Sequence, residues 1–512
     1  MPASSRKVII VGAGPGGLAS AVLLAATGTR VRVIERLPML GGRTSTLEAN
    51  GFKFDLGPTF FLYPRVLEDI LKVAGTSIAK EIEMVRLDPQ YRLTFGNGGE
   101  MNCTPDVARM RAEIAQIASA DTDGFEKFLT ANRRKLARME PCLSRSFNSW
   151  RDLLSPHLLK LLPALQPHLS VDQHLRKFFS DPRVRLAFSF QSKYLGMSPF
   201  RCPSLFSILS FLEYEYGVFH PIGGCGAITR KLAEIARQLG AEIQLDEPVE
   251  RLLIEKGRAL GVVTTRGEYR ADAVVVNADF ARAMKRMVPN DQRKRWSDEK
   301  IARKKFSCST FMMYLGIDGR YELPHHNVYI SADYEQNLDD IERAHVLSRD
   351  PSVYIQNASV TDPTLAPAGM STLYALAPVT HQHPNVDWSR DATGFRALVL
   401  RQIAKAGFRD VESRIRFERI VTPDDWDQQY EIHLGATFNL AHNLAQLLHL
   451  RPHNRSEDVR GMYLVGGGTH PGSGLPVIFE SARITSRLIC EDLDLEPPSE
   501  RQPARSSASV AA

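Results

Sequence analysis

Three glycine-rich segments carry the residues with chemistry to offer. The first is Gly12-Ala13-Gly14-Pro15-Gly16-Gly17, a GxGxxG pattern. Gly12 suits a tight turn, Gly14 lets a pyrophosphate approach the backbone, and Gly17 allows a following helix to sit close, its N-terminus facing the anion. Glu35 stands 18 residues past Gly17, where a carboxylate can accept from ribose hydroxyls. Arg36 follows it. The second segment, Gly41-Gly42-Arg43-Thr44, adds a glycine pair and a cation able to reach the pyrophosphate and far half of a long dinucleotide. Asp55-Leu56-Gly57-Pro58-Thr59 then makes a tight turn that fits beside a ring system. The third segment, Gly466 to Val477, holds Gly466-Gly467-Gly468 and Leu475-Pro476-Val477 just ahead of a helical pattern. A helix N-terminus there can stabilise negative charge on a reduced flavin. Together these favour FAD over a nicotinamide dinucleotide.

The elements that must position them are legible in outline. Lys7 to Gly12 reads as a buried strand, Gly16 to about Thr27 as an apolar helix, and Val31 to Ile34 as a second strand. Asp106 to Lys135 has a helical pattern. His220 to Asn277 returns to a nucleotide-fold pattern, Ser307 to Asp425 alternates strands and loops, and Met462 to Cys490 reads strand, loop, helix. The expected architecture is α/β: a Rossmann-like, glutathione-reductase-like FAD domain built from residues 1–105, 220–300 and 455–495. Residues 106–219 form a helical, partly membrane-associating segment, 301–454 an inserted α+β substrate-domain sheet, and 496–512 a disordered tail.

At 512 residues, 43% hydrophobic and 24% charged, the chain can bury two or three cores. Its six cysteines (Cys103, Cys142, Cys202, Cys225, Cys308, Cys490) form no CxxC pair, against zinc and against a disulfide framework. No metal site is expected. No secretory signal and no run of 18 apolar residues is found, so a cytoplasmic location is expected. The net charge of +6 is mild, and no nucleic-acid partner is expected.

Further segments sharpen the reading: Thr361 to Gly369, Thr422-Pro423-Asp424-Asp425-Trp426, Gly435 to Leu440, Arg451-Pro452 and Gly468-Thr469-His470-Pro471-Gly472. With the glycine motifs, these resemble the bacterial carotenoid desaturases of the phytoene and diapophytoene type, within the amine-oxidase-like flavoproteins, over nearly the whole chain. The resemblance implies FAD-dependent removal of hydrogen from a long polyprenoid, with dioxygen or a quinone as terminal acceptor. The form of residues 472–483 is closer to the branch acting on C30 chains. The resemblance also implies cofactor contacts for Gly12, Gly14, Gly17, Glu35 and Arg43, for the backbone at Val249, and for Gly467, Gly468, Leu475, Pro476 and Val477. A related methyl-oxidising, aldehyde-forming enzyme and an amine oxidase are the enzymatic alternatives; a flavin-less lipid escort is the non-enzymatic one. No catalytic base is assigned: His470 reads as fixing its loop, Glu480 as an anchor, and Glu213, Glu215 and His220 as helix-surface and cap residues.

A long hydrocarbon resides in a bilayer, so a desaturase must dock to collect it. Arg133 to Phe200 holds 12 Lys/Arg against 4 Asp/Glu. It also carries Trp150, Leu153, Leu154, Leu158, Leu159, Leu161, Leu162, Phe178 and Phe179, broken by Pro156, Pro163 and Pro167. Peripheral attachment to an anionic membrane surface is expected there, with Lys160, Arg176 and Lys177 among its cations.

Overall fold

The computed structural model describes residues 6–143, 145–154, 156, 158 and 165–500, with the side chains of 140–143 and 153 excepted. Leu159 to Pro163 and the end of the expected tail, from 501, lie outside the described residues.

One sheet collects strands from three distant stretches. Its spatial order is Glu242–Gln244, Arg30–Ile34, Lys7–Val11, Ala273–Val276 and Met462–Leu464, all parallel. The central strands are Val/Ile runs because both faces of this parallel sheet are covered, one by helices and the other by the three-stranded sheet Val249–Glu255, Arg258–Thr264 and Gly267–Arg270 with the helix Phe280–Met287. The helix Pro15–Ala26 is apolar on every side and wholly buried. It is walled in by the helices Gly226–Gln238 and Leu475–Asp492. Gly17 makes its approach possible, since a Cβ there would stand 2.2 Å from the Gly12 carbonyl oxygen.

A second sheet has seven strands in the order Ile415–Val421, Ser309–Asp318, Met370–Val379, Val353–Gln356, His326–Ile330, Tyr91–Phe95 and Glu100–Cys103. The Tyr91–Phe95 and Glu100–Cys103 strands, grouped by sequence with residues 1–105, therefore hydrogen-bond into this larger sheet. Period-two alternation sorts its two faces. Phe311, Met313 and Leu315 pack toward the helix Trp388–Lys405, where Phe311 stacks on Trp388 at 5.4 Å. Thr310, Met312, Tyr374 and Leu376 turn to the other face, which roofs a cavity.

The helical pattern expected over Asp106 to Lys135 is split into Val107–Ile117 and Gly124–Leu143. Asp121 sits at the break and accepts from the backbone of Ser180 and Asp181 at 2.7 and 2.8 Å. Gly124 lies so close to the Phe178 carbonyl that a Cβ would be 2.1 Å from it. These contacts pull the basic segment onto an aromatic core. Phe179, expected at a membrane, is 1% exposed and stacks on Phe188 at 4.6 Å. Phe178 packs edge-on against Phe128, and Leu158 is buried beside Met139 and Phe147. These three serve the interior, because each finds an apolar partner that outcompetes a lipid surface. Trp150 and Leu154 do stay out, 61% and 57% exposed. Among the described residues no helix is long and apolar enough to cross a membrane.

Candidate functional site

The two sheets face each other across one continuous cavity of about 490 Å³. Gly12, Gly14, Glu35, Arg36, Gly42, Arg43, Gly57, Pro58, Thr59, Val249, Gly467, Leu475, Pro476 and Val477 all line it. Segments separated by more than 400 residues thus meet at one place, as a single long cofactor requires. Ala13, Gly16, Gly17 and Gly468 stand just behind the wall. Ala13 donates its N–H to Glu35 Oε2 at 2.7 Å. A Cβ on Gly16 would press on Ile478 and Val465, and one on Gly468 would meet Phe280 at 2.7 Å.

The cavity wall is built to receive an anion at two points. The helices Pro15–Ala26 and Leu475–Asp492 both begin at glycines, Gly14 and Gly474, with no side chain capping either. Their first N–H groups have no intrahelical partner and carry the positive ends of the helix dipoles. Gly474 has φ +107°, and a Cβ there would touch nothing within 4 Å, so this terminus opens onto free space. Arg43, half-buried, lines the same cavity. Its Nη1 donates to the Thr437 carbonyl at 2.6 Å. With its amide nitrogen turned toward Asp279, Asn439 donates to Asp279 Oδ2 at 2.9 Å and accepts from Arg43 Nη2 at 3.2 Å. Burial lowers the pKa of Arg43 and raises that of Asp279, while each opposes the shift in the other.

Glu35 ends its strand with both carboxyl oxygens engaged, the second accepting from Leu37 N at 2.9 Å. Burial raises its pKa against these hydrogen bonds. Asn277, at the end of the Ala273–Val276 strand, donates to the Gly12 carbonyl at 3.2 Å and crowds Gly12, Gly14 and Gly17 too closely for any Cβ. The Leu56–Thr59 turn is pinned from the opposite sheet. Tyr314 donates to Leu56 O at 2.6 Å, Tyr374 to Gly57 O at 2.7 Å and Gln356 to Thr59 O at 3.1 Å.

Two uncapped helix termini, a half-buried guanidinium and a carboxylate at the strand end suit the phosphates and ribose of FAD. Beyond Thr59 the cavity changes character. Phe190, Leu195, Leu209, Leu212, Val328 and Ile330 make its far end an apolar channel.

His470 does not reach the cavity. Its Nε2 bonds the Arg145 carbonyl at 3.0 Å and its ring meets Phe147 edge-on at 5.3 Å, so it ties the glycine loop to the segment bearing Trp150. Glu480 pairs with Arg483 at 2.9 Å, and Glu215 with Arg133 at 2.7 Å. Glu213 and His220 differ from their surface reading: both are fully buried. Sequence reasoning gave no site role to Asn277, Asp279, Thr437, Asn439 and Tyr354. Thr437 and Asn439 lie in the Gly435 to Leu440 segment that carries the family resemblance, while Asn277 and Asp279 just follow the Ala273–Val276 strand and Tyr354 lies within Val353–Gln356.

Fold and site together define an FAD-dependent oxidoreductase. The chain belongs to the flavin-containing amine oxidoreductase family, whose family model matches residues 15–490, and within it to the carotenoid desaturases. It is 42% identical over 491 residues to a 4,4'-diapophytoene desaturase (4,4'-diapolycopene-forming) of a Methylomonas species, covering 96% of each chain. It is 39% identical to an all-trans-zeta-carotene desaturase of Myxococcus xanthus, covering 96% and 95%. Among solved structures, putrescine oxidase bound to putrescine shares the fold with a TM-score of 0.64 at 16% identity, over 96% of this chain and 100% of that one.

Proposed function

We propose that the chain desaturates a long polyprenoid of the phytoene or diapophytoene type, using FAD. The observation that carries this reading is the single cavity whose glycine-lined end suits the cofactor and whose other end is apolar. FAD, when bound, supplies the two-electron acceptor, and dioxygen or a quinone reoxidises it. The protein's part is placement and exclusion of water. Gly12, Ala13, Gly14, Gly16 and Gly17 shape the pyrophosphate turn, Glu35 and Arg36 hold the ribose end, Val249 borders the adenine, and Gly42 and Arg43 meet the phosphates. Gly57, Pro58, Thr59, Gly467, Gly468, Leu475, Pro476 and Val477 bracket the flavin. In this reading 1–105, 220–300 and 455–495 act as the FAD-binding part, with Tyr91 to Cys103 serving the roof contributed by 301–454.

Docking to an anionic membrane completes the proposal. Trp150 and Leu154 are joined at the surface by Leu444 and Leu450, 50% and 41% exposed, the turn Leu448–Leu450 packing against Trp150–Leu154. Arg151 lies over the Trp150 ring at 5.8 Å. An aromatic–leucine patch with a flanking cation suits a headgroup boundary. The test of function is pigment analysis of cells making a C30 or a C40 precursor together with this protein. New conjugated polyenes are expected from one of them; unchanged precursor in both would overturn the reading.

A further inference from the structure

Desaturation removes two hydrogens from neighbouring carbons, and the second leaves as a proton that needs an acceptor. No group in the glycine loops offers one. A buried chain on the opposite wall does. Tyr354, on the Val353–Gln356 strand, and Thr59 both line the main cavity. Their hydroxyls lie 2.6 Å apart, and the Tyr354 hydroxyl also lies 2.7 Å from His326 Nδ1. His326 stands behind this wall and borders a second pocket of about 10 Å³, shared with Phe60, Tyr194 and Glu213. His326 Nε2 is buried without a hydrogen-bond partner, and the Glu213 carboxyl meets the same pocket beside the Tyr194 hydroxyl. A pocket of that size, lined by both side chains, has room for one bridging water. The other Glu213 oxygen, Oε2, accepts from Tyr91 at 3.1 Å and Gln191 at 3.0 Å.

We propose that Tyr354, His326 and Glu213 form a proton relay for the deprotonation half of the reaction, with the Tyr354 hydroxyl touching the substrate and the other two acting through it. This rests on the polyprenoid reading. One substrate C–H breaks and its hydrogen leaves with both electrons, oxidising the substrate and reducing FAD. The adjacent C–H then breaks, its electron pair becoming the new C=C. Its proton goes to the Tyr354 oxygen as the tyrosine's own proton moves to His326 Nδ1. The proton on His326 Nε2 passes across the small pocket to the Glu213 carboxylate. A weak base suffices, because a C–H beside a delocalised cation is strongly acidic.

The electrostatics suit each station. Burial, with His220 adding to it, holds His326 down to about 3, so its ring is neutral and able to accept. Burial pushes Glu213 up to about 7 against hydrogen bonds from Gln191, Tyr194 and Tyr91, which matches an acceptor working near neutrality. The titratable groups around Glu213 are Tyr91, Tyr194, Tyr214 and Cys103. Those around His326 are His325, whose ring is 4.5 Å away, and His220 behind it, bonded to Asp362 at 3.3 Å.

The test uses the FAD holoenzyme in neutral liposomes loaded with phytoene or 4,4'-diapophytoene, mixed without oxygen in H2O and in D2O. Wild type should form polyene with a solvent isotope effect. Tyr354→Phe should keep its flavin spectrum, form product roughly 100-fold more slowly or worse, and lose that isotope effect. His326→Gln should do the same, and is read instead if Tyr354→Phe fails to retain FAD. Infrared titration gives a readout independent of turnover: in the difference between wild type and Glu213→Gln, which cancels Asp55 and Glu457, one protonated-carboxyl stretch should titrate near neutral pH, and it should shift in His326→Gln. A wild type that bleaches no flavin with either polyene defeats the functional reading itself. A wild type that works, with variants matching its rate, isotope effect and carboxyl stretch, overturns the relay alone.

Discussion

Arg451 Nη2 donates to the Gly467 carbonyl oxygen at 2.6 Å, holding the last glycine loop from behind. Its Nε reaches the Thr469 carbonyl at 3.1 Å, and longer bonds run to Leu440 and Gln446. Every partner is a backbone carbonyl. The guanidinium is fully buried, and burial lowers its pKa to about 9. Its planar fork therefore serves as a scaffold for a loop rich in flexible backbone.

Replacing it should loosen the flavin end of the cavity. Arg451→Met strips two short hydrogen bonds from buried carbonyls, on the order of 2–5 kcal/mol in total. The expected outcome is a lower melting temperature and loss of bound flavin on gel filtration. A variant that melts and retains flavin like wild type would show the loop to be self-supporting.

Glu35 is proposed to hold the ribose end. Glu35→Ala should weaken FAD by about 10–100-fold, the loss of a charge-assisted hydrogen bond of roughly 1.5–3 kcal/mol. The chain should still fold, because its strand is held by pairing on both sides. Titration of apoprotein with FAD, followed by flavin fluorescence, checks this; unchanged affinity would remove Glu35 from the site.

Membrane capture should depend on few residues. Trp150→Ser with Leu154→Ser should reduce co-sedimentation with both neutral and anionic liposomes. Arg176→Glu with Lys177→Glu should reduce it only for anionic ones, each nearby cation being worth about 1 kcal/mol. Equal pelleting of both variants and wild type would place the docking face elsewhere.

Acid should destabilise the fold. Burial holds His174 and His326 down to about 3, and His433 and His470 to about 4. The unfolded chain binds those protons near pH 6.5, so this stability is present above about 6.5 and lost as pH falls toward 4. Asp55, raised to about 6, and Glu213 and Glu457, raised to about 7, act in the opposite sense below pH 7. Buried histidines outnumber them, His325 and His442 being lowered as well, so the histidine sign prevails. Denaturant midpoints at pH 5 should fall below those at pH 7; a higher midpoint at pH 5 would give the carboxyls the larger share.

The glycine-lined half of the cavity was legible because backbone geometry demands particular residues. Gly12 at φ +98° and Gly474 at φ +107° leave little choice of side chain, and glycine is visible in any sequence. The relay was not legible. Thr59, Tyr354, His326 and Glu213 meet only through long-range pairing of strands, which no local pattern encodes. The one clue was Glu213 itself, an acid in the helix Ile208–Tyr216 whose neighbours Ile208, Phe211 and Tyr214 are apolar and buried. Phe178 and Phe179 misled in the opposite direction, since an apolar pair in a basic stretch reads alike whether it faces lipid or core.

If cofactor and polyprenoid share one cavity, flavin reduction and polyene formation are one event. Mixing the FAD holoenzyme with liposomes carrying phytoene or 4,4'-diapophytoene in the absence of oxygen, and following flavin and polyene absorbance together, checks this. One flavin should bleach for each new double bond, with both signals moving at one rate. Polyene formed without flavin bleaching, or bleaching without polyene, would contradict it.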